Sequence, residues 1–117
     1  MKVFSSILIS AGLILGSIAC TSAYGAEVEQ VMAEHMAKAA SYEEKAKAQD
    51  ALIAEHQQEK KDYKKRYYIN DKVTPPQVLA PVEKHCDTII KDATKLREDL
   101  LELAKWHRLR AAELKGQ

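Results

Sequence analysis

Forty-three consecutive residues, Ala26 to Tyr68, contain neither glycine nor proline. They are mostly Ala, Glu, Lys and Gln, residues that enter a helix at little cost. Nothing in this run can end a helix, so the spacing predicts a single helix over about 27–68. Turn signals gather between Ile69 and Pro81: Asn70-Asp71, then Thr74-Pro75-Pro76-Gln77, then Pro81 itself. Thr74 can cap a following helix with its hydroxyl, Pro75 suits the first helical position, and Gln77 stands at the reciprocal capping-box position. A second helix is expected over about 76–114, with Pro81 either kinking it or delaying its regular part. The fold class is therefore all-α, a long antiparallel two-helix hairpin with its turn at about 69–75.

Periodicity indicates which faces meet. The first helix carries a 4-3 stripe through Val28, Met32, His35, Ala39, Tyr42, Ala46, Gln49, Ile53, His56, Lys60, Tyr63 and Tyr67. The second carries one through Leu79, Val82, Cys86, Ile89, Ala93, Leu96, Leu100, Leu103, His107, Arg110 and Leu114. Both are sustained coiled-coil heptads. A turn centred on Asp71 makes facing residue numbers sum to about 142. That register sets Ala39 against Leu103, Ala46 against Leu96 and Ile53 against Ile89, small against large and apolar against apolar. Two helices bury one face each, too small a core for a stable monomer, so the chain is expected to form a homodimer as a four-helix bundle. Trp106, beside the stripe, is expected to pack on a neighbouring helix.

The first 25 residues have a different composition. Lys2 is the only charge among them, and they hold three of the four glycines. A basic start, an apolar run from Val3 to Ala19 and a small-residue region ending Ala23-Tyr24-Gly25 have the three parts of a bacterial export signal, so 1–25 is read as a signal peptide and the mature chain as periplasmic or secreted. Ser17-Ile18-Ala19-Cys20 offers an alternative, a lipobox with Cys20 lipidated and the protein anchored to the envelope. Either route leaves Cys86 alone, without an internal disulfide in an oxidising compartment.

Removing that leader leaves 17 basic against 17 acidic residues. Charge balance argues against nucleic acid as a partner, and the loss of glycine leaves no phosphate-cradling loop. The basic run Lys60, Lys61, Lys64, Lys65 and Arg66 near the turn is interrupted by Glu59 and Asp62 and reads as a solvated helix face. Contact with the membrane is expected only through a lipid anchor.

All four histidines and Cys86 fall on or beside the inward stripes. The same register pairs His35 with His107 and His56 with Cys86, in layers 21 residues or about 30 Å apart. One layer holds His35 and His107 with Met32 and Met36 nearby. The other holds His56, Cys86 and the adjacent His85. Imidazole, thiolate and thioether suit zinc or copper, with Cys and His closer to zinc and His and Met closer to copper. Catalysis is not expected. His85 points about 100° away from Cys86, and no oxyanion loop accompanies them. The chain is thus read as a non-catalytic envelope protein binding metal or a stress-related ligand, or else as a structural or protein-interaction module whose histidines only pack.

Two resemblances follow from these residues. Glu34-His35-Met36, Glu55-His56, His85-Cys86 and Trp106-His107-Arg108 on an exported hairpin resemble a group of small exported bacterial helical-hairpin proteins of unassigned function. Val73-Thr74-Pro75-Pro76-Gln77 is similar to the Leu-Thr-x-x-Gln motif of periplasmic stress chaperones and heavy-metal-resistance sensors, with Val in place of Leu. The second resemblance implies a dimeric hairpin that binds misfolded envelope proteins or metal ions in the periplasm.

Overall fold

The computed structural model describes residues 8–69 and 76–117, with side chains described over 25–66 and 76–117. Two helices, α1 (Leu8–Ile69) and α2 (Pro76–Lys115), pack against each other as an all-α hairpin. The expected turn and its Thr74 cap lie outside the described residues, as do the side chains of the proposed cleavage region and Cys20. α2 matches its expected span, and the helix continues through Pro81. It closes with the amide of Gly116 donating to the carbonyls of Ala112 and Glu113.

α1 begins at Leu8, well before the expected start near residue 27. The sequence has no proline before Pro75, so nothing stops an apolar helix from running on through Gly25 into the charged segment. Among the described residues no helix is long and apolar enough to cross a membrane.

The seam is made mostly of alanine. Ala39, Ala46, Ala93, Ala104 and Ala111 are each at most 3% exposed, joined by Cys86, Leu100 and His107. On α1 the predicted stripe faces inward from Val28 to Tyr63, and the side chain of its last member, Tyr67, lies outside the described residues. On α2 the prediction holds for Leu79, Val82, Cys86, Ile89, Ala93, Leu100, His107 and Leu114 and fails for one row. Leu96, Leu103 and Arg110 are exposed, and Arg97, Ala104 and Ala111 turn inward instead. An α-helix has 3.6 residues per turn, so a strict seven-residue repeat drifts about 20° per heptad. Over the heptads beyond Cys86 this drift carries the 96/103/110 row out of the seam and brings the 97/104/111 row in. Alanine at 104 and 111 lets the helices approach closely there.

Among the described residues four ion pairs bridge the helices: Lys64–Glu83 at 2.8 Å, Lys60–Asp87, Arg97–Asp50 at 2.9 Å and Arg108–Glu43 at 2.7 Å. Glu43, Asp50 and Lys64 fall at heptad spacing on one flank of α1, so the ion pairs close one edge of the hairpin. The opposite edge carries exposed Leu96, Leu103 and Trp106.

Candidate metal centre

His56 and Glu59 sit three residues apart on α1 and therefore share a face. Cys86, 3% exposed, comes up from α2 to meet them. The three donor atoms converge: His56 Nδ1 is 3.0 Å from Glu59 Oε2 and 3.7 Å from Cys86 Sγ, and Cys86 Sγ is 3.7 Å from Glu59 Oε2. Burial raises the Cys86 pKa, and the Glu59 carboxylate raises it further. At neutral pH the thiol is protonated and donates to Glu59.

Two kinds of chemistry can use a Cys, a His and a carboxylate in contact, and the geometry separates them. A thiol triad needs the carboxylate on one imidazole nitrogen and the thiol on the other. Here one nitrogen, Nδ1 of His56, faces both Glu59 and Cys86. The thiol is also buried and held protonated, the setting of an inert rather than a nucleophilic cysteine. Three donors gathered around one point suit a cation. With the usual zinc bond lengths to S, N and O, tetrahedral ligand–ligand edges are about 3.4–3.6 Å, close to the separations found.

Within this layer the sequence reading needs one correction. His85 is exposed and lies outside the group of donors, which is His56, Glu59 and Cys86. Consecutive helical residues project about 100° apart, so with Cys86 in the seam His85 turns away from it. Glu59 was missed, and the available signal was its i, i+3 spacing from His56.

The second layer forms with a different chemistry. His35 and His107 meet with their Nδ1 atoms 2.9 Å apart. Aromatic rings surround them: Tyr42 stacks on His107 at 5.6 Å, and Trp106 meets His107 and His35 edge-on at 4.8 and 5.8 Å. Trp106 itself remains 55% exposed. Burial lowers the His107 pKa from its usual 6.5, helped by His35 and then Lys38. Among the described residues no third histidine, cysteine or carboxylate donor completes a group here. Met36, expected as a thioether ligand, has its sulfur 4.0 Å from Arg108 Nη1. Met32 and Met36 line an open groove with Arg108, Ala111, Ala112 and Lys115.

Near the turn, Lys60 and Lys64 are spent on Asp87 and Glu83, and Arg66 lies over the Tyr63 ring. This is the salt-bridged surface expected for the basic run.

No protein-family model, curated protein or solved structure matches the chain.

Proposed function

We propose that this chain is a non-catalytic metal-binding hairpin of the bacterial cell envelope, which holds a zinc-like divalent ion between its helices through His56, Glu59 and Cys86. The observation that carries the reading is the convergence of a soft thiol sulfur, a borderline imidazole nitrogen and a hard carboxylate oxygen, from two helices, at 3.0 to 3.7 Å from one another. An imidazole, a thiolate and a carboxylate together favour zinc over the hard cations, which prefer all-oxygen shells. Three protein donors leave a tetrahedral ion one position for water or a small ligand. Since α1 supplies two donors and α2 the third, a bound ion ties the helices together, and its binding energy adds to the stability of the hairpin. The leader and its small-residue region support export, with lipidation at Cys20 as the alternative means of retention in the envelope. The non-catalytic reading rests on the shared Nδ1 contact and the buried, protonated thiol.

At the other layer the packing role is favoured. Tyr42 stacked on His107 and Trp106 set edge-on to both histidines make an aromatic cluster in which the two Nδ1 atoms hydrogen-bond to each other.

Equilibrium dialysis of purified protein against zinc tests the proposal. It is expected to retain one equivalent per chain, lost in both Cys86→Ser and His56→Ala and kept in His85→Ala. No retention, or retention that depends on His85, would overturn it.

A further inference from the structure

We infer that the edge of the hairpin carrying Leu96, Leu103 and Trp106 is covered by a second copy of this chain, with a two-fold axis parallel to the helices. This surface is separate from the metal centre, and the inference does not depend on it.

The single chain lacks a core of ordinary size. Its fully covered positions are almost all alanine, and among the described residues no large side chain is less than 2% exposed. Leu96, Leu103 and Trp106 meanwhile remain 46%, 44% and 55% exposed. Covering the surface that these side chains still expose removes apolar area from water and favours association. The ion pairs occupy the opposite edge, where Glu43, Asp50, Lys60 and Lys64 already have partners on α2. Association is therefore assigned to the edge without ion pairs between the helices, where Leu96, Leu103 and Trp106 lie.

The charges on that edge favour a second copy as the occupant. On α1 it carries Lys38 and Lys45, and on α2 Asp92 and Asp99, each pair one heptad apart. Within the chain Lys45 lies over the Tyr42 ring and Asp99 pairs with Lys95. A two-fold axis along the helices sets α1 of one copy against α2 of the other at the same height, an isologous contact. Residue numbers summing to about 142 share a height, as His35 with His107 and His56 with Cys86 do. Lys45 then lies within a few ångströms of the level of the partner's Asp99. The leucines and Trp106 of both copies fill the space between, completing a four-helix bundle.

Light scattering on purified protein, with circular dichroism on the same samples, tests this. Wild type is expected at twice the mass of one chain. Leu103→Glu is expected to raise the dissociation constant at least about tenfold, since the two-fold contact puts the introduced carboxylate into the interface from both copies. Because Leu103 is outside the seam, the variant chain should keep its helicity. Lys45→Glu and Asp99→Lys should each weaken the dimer, and the two together should restore it. A helical monomer at micromolar concentration would overturn the inference. So would an assembly indifferent to Leu103→Glu and to the charge exchange, since another surface or occupant would then be responsible.

Discussion

His35 and His107, 72 residues apart in the chain, touch through their Nδ1 atoms at 2.9 Å across the seam. At that distance one nitrogen carries a proton and the other accepts it, so the pair needs at least one neutral ring. Protonating both would set two N–H groups against each other in a half-buried site. Lys38 lies close enough to lower the His107 pKa further.

A pH dependence of stability follows. Because the folded state lowers the His107 pKa below its usual 6.5, the unfolded chain binds more protons in the window just below that value. Stability from this pair is therefore complete above pH 6.5 and falls as the pH drops through the folded pKa. The melting temperature measured by circular dichroism should decrease between pH 7.5 and pH 5. The decrease should be smaller in His107→Gln, and an equal decrease in both proteins would contradict the assignment.

The alanine seam makes a second prediction. Ala39 is fully covered and its neighbour Ala40 is exposed. Ala39→Leu forces extra volume between closely packed helices and should destabilise the fold by about 1–3 kcal/mol. Ala40→Leu, with the same change in composition, should stay within about 0.5 kcal/mol of wild type. Urea unfolding of the two variants compares them directly, and similar midpoints would mean that the helices do not approach closely.

The ion-pair edge should contribute little to stability. Arg108 grips Glu43 with two hydrogen bonds, Nε to Oε1 at 2.8 Å and Nη2 to Oε2 at 2.7 Å. Both side chains are more than a third exposed, where such pairs are worth up to about 1 kcal/mol. Arg108→Ala should lower the melting temperature by only a few degrees at low salt and by almost nothing in 1 M salt. A large loss that persists in high salt would assign Arg108 a packing role.

How far these features were legible in the sequence depended on the kind of signal. The absence of glycine and proline from Ala26 to Tyr68, with every turn residue gathered before Pro81, sufficed for the hairpin. The 142 register was also legible, from the turn signals around Asp71 and because His35 to His56 and Cys86 to His107 are each 21 residues, three whole heptads. Leu96 and Leu103 misled because hydrophobicity marks which residues seek burial, whereas the drift of a 3.6-residue helix decides which row reaches the seam. His85 misled for a simpler reason: adjacency in sequence is not adjacency on a helix. Glu59 carries no hydrophobic signal and lies just off the stripe, so only the i, i+3 relation to His56 could have marked it.

Metal binding should be coupled to proton release. The Cys86 thiol is held protonated by burial and by Glu59, and a bound ion requires the thiolate. Below the thiol pKa, zinc affinity should rise about tenfold per pH unit through this proton. Calorimetric titration in buffers of different ionisation enthalpy should show close to one proton released per ion at pH 7. An affinity that does not change with pH would mean that Cys86 is not a ligand.

Cobalt substitution tests the central claim most directly, because a cobalt–thiolate bond has its own near-ultraviolet charge-transfer absorption. Titrating purified protein with Co²⁺ should produce that band, saturating at one ion per chain, abolished in Cys86→Ser and weakened in His56→Ala and Glu59→Gln while the helix signal is unchanged. If no band forms, or if a band of full strength survives in Cys86→Ser, the donors at His56, Glu59 and Cys86 do not constitute a metal site.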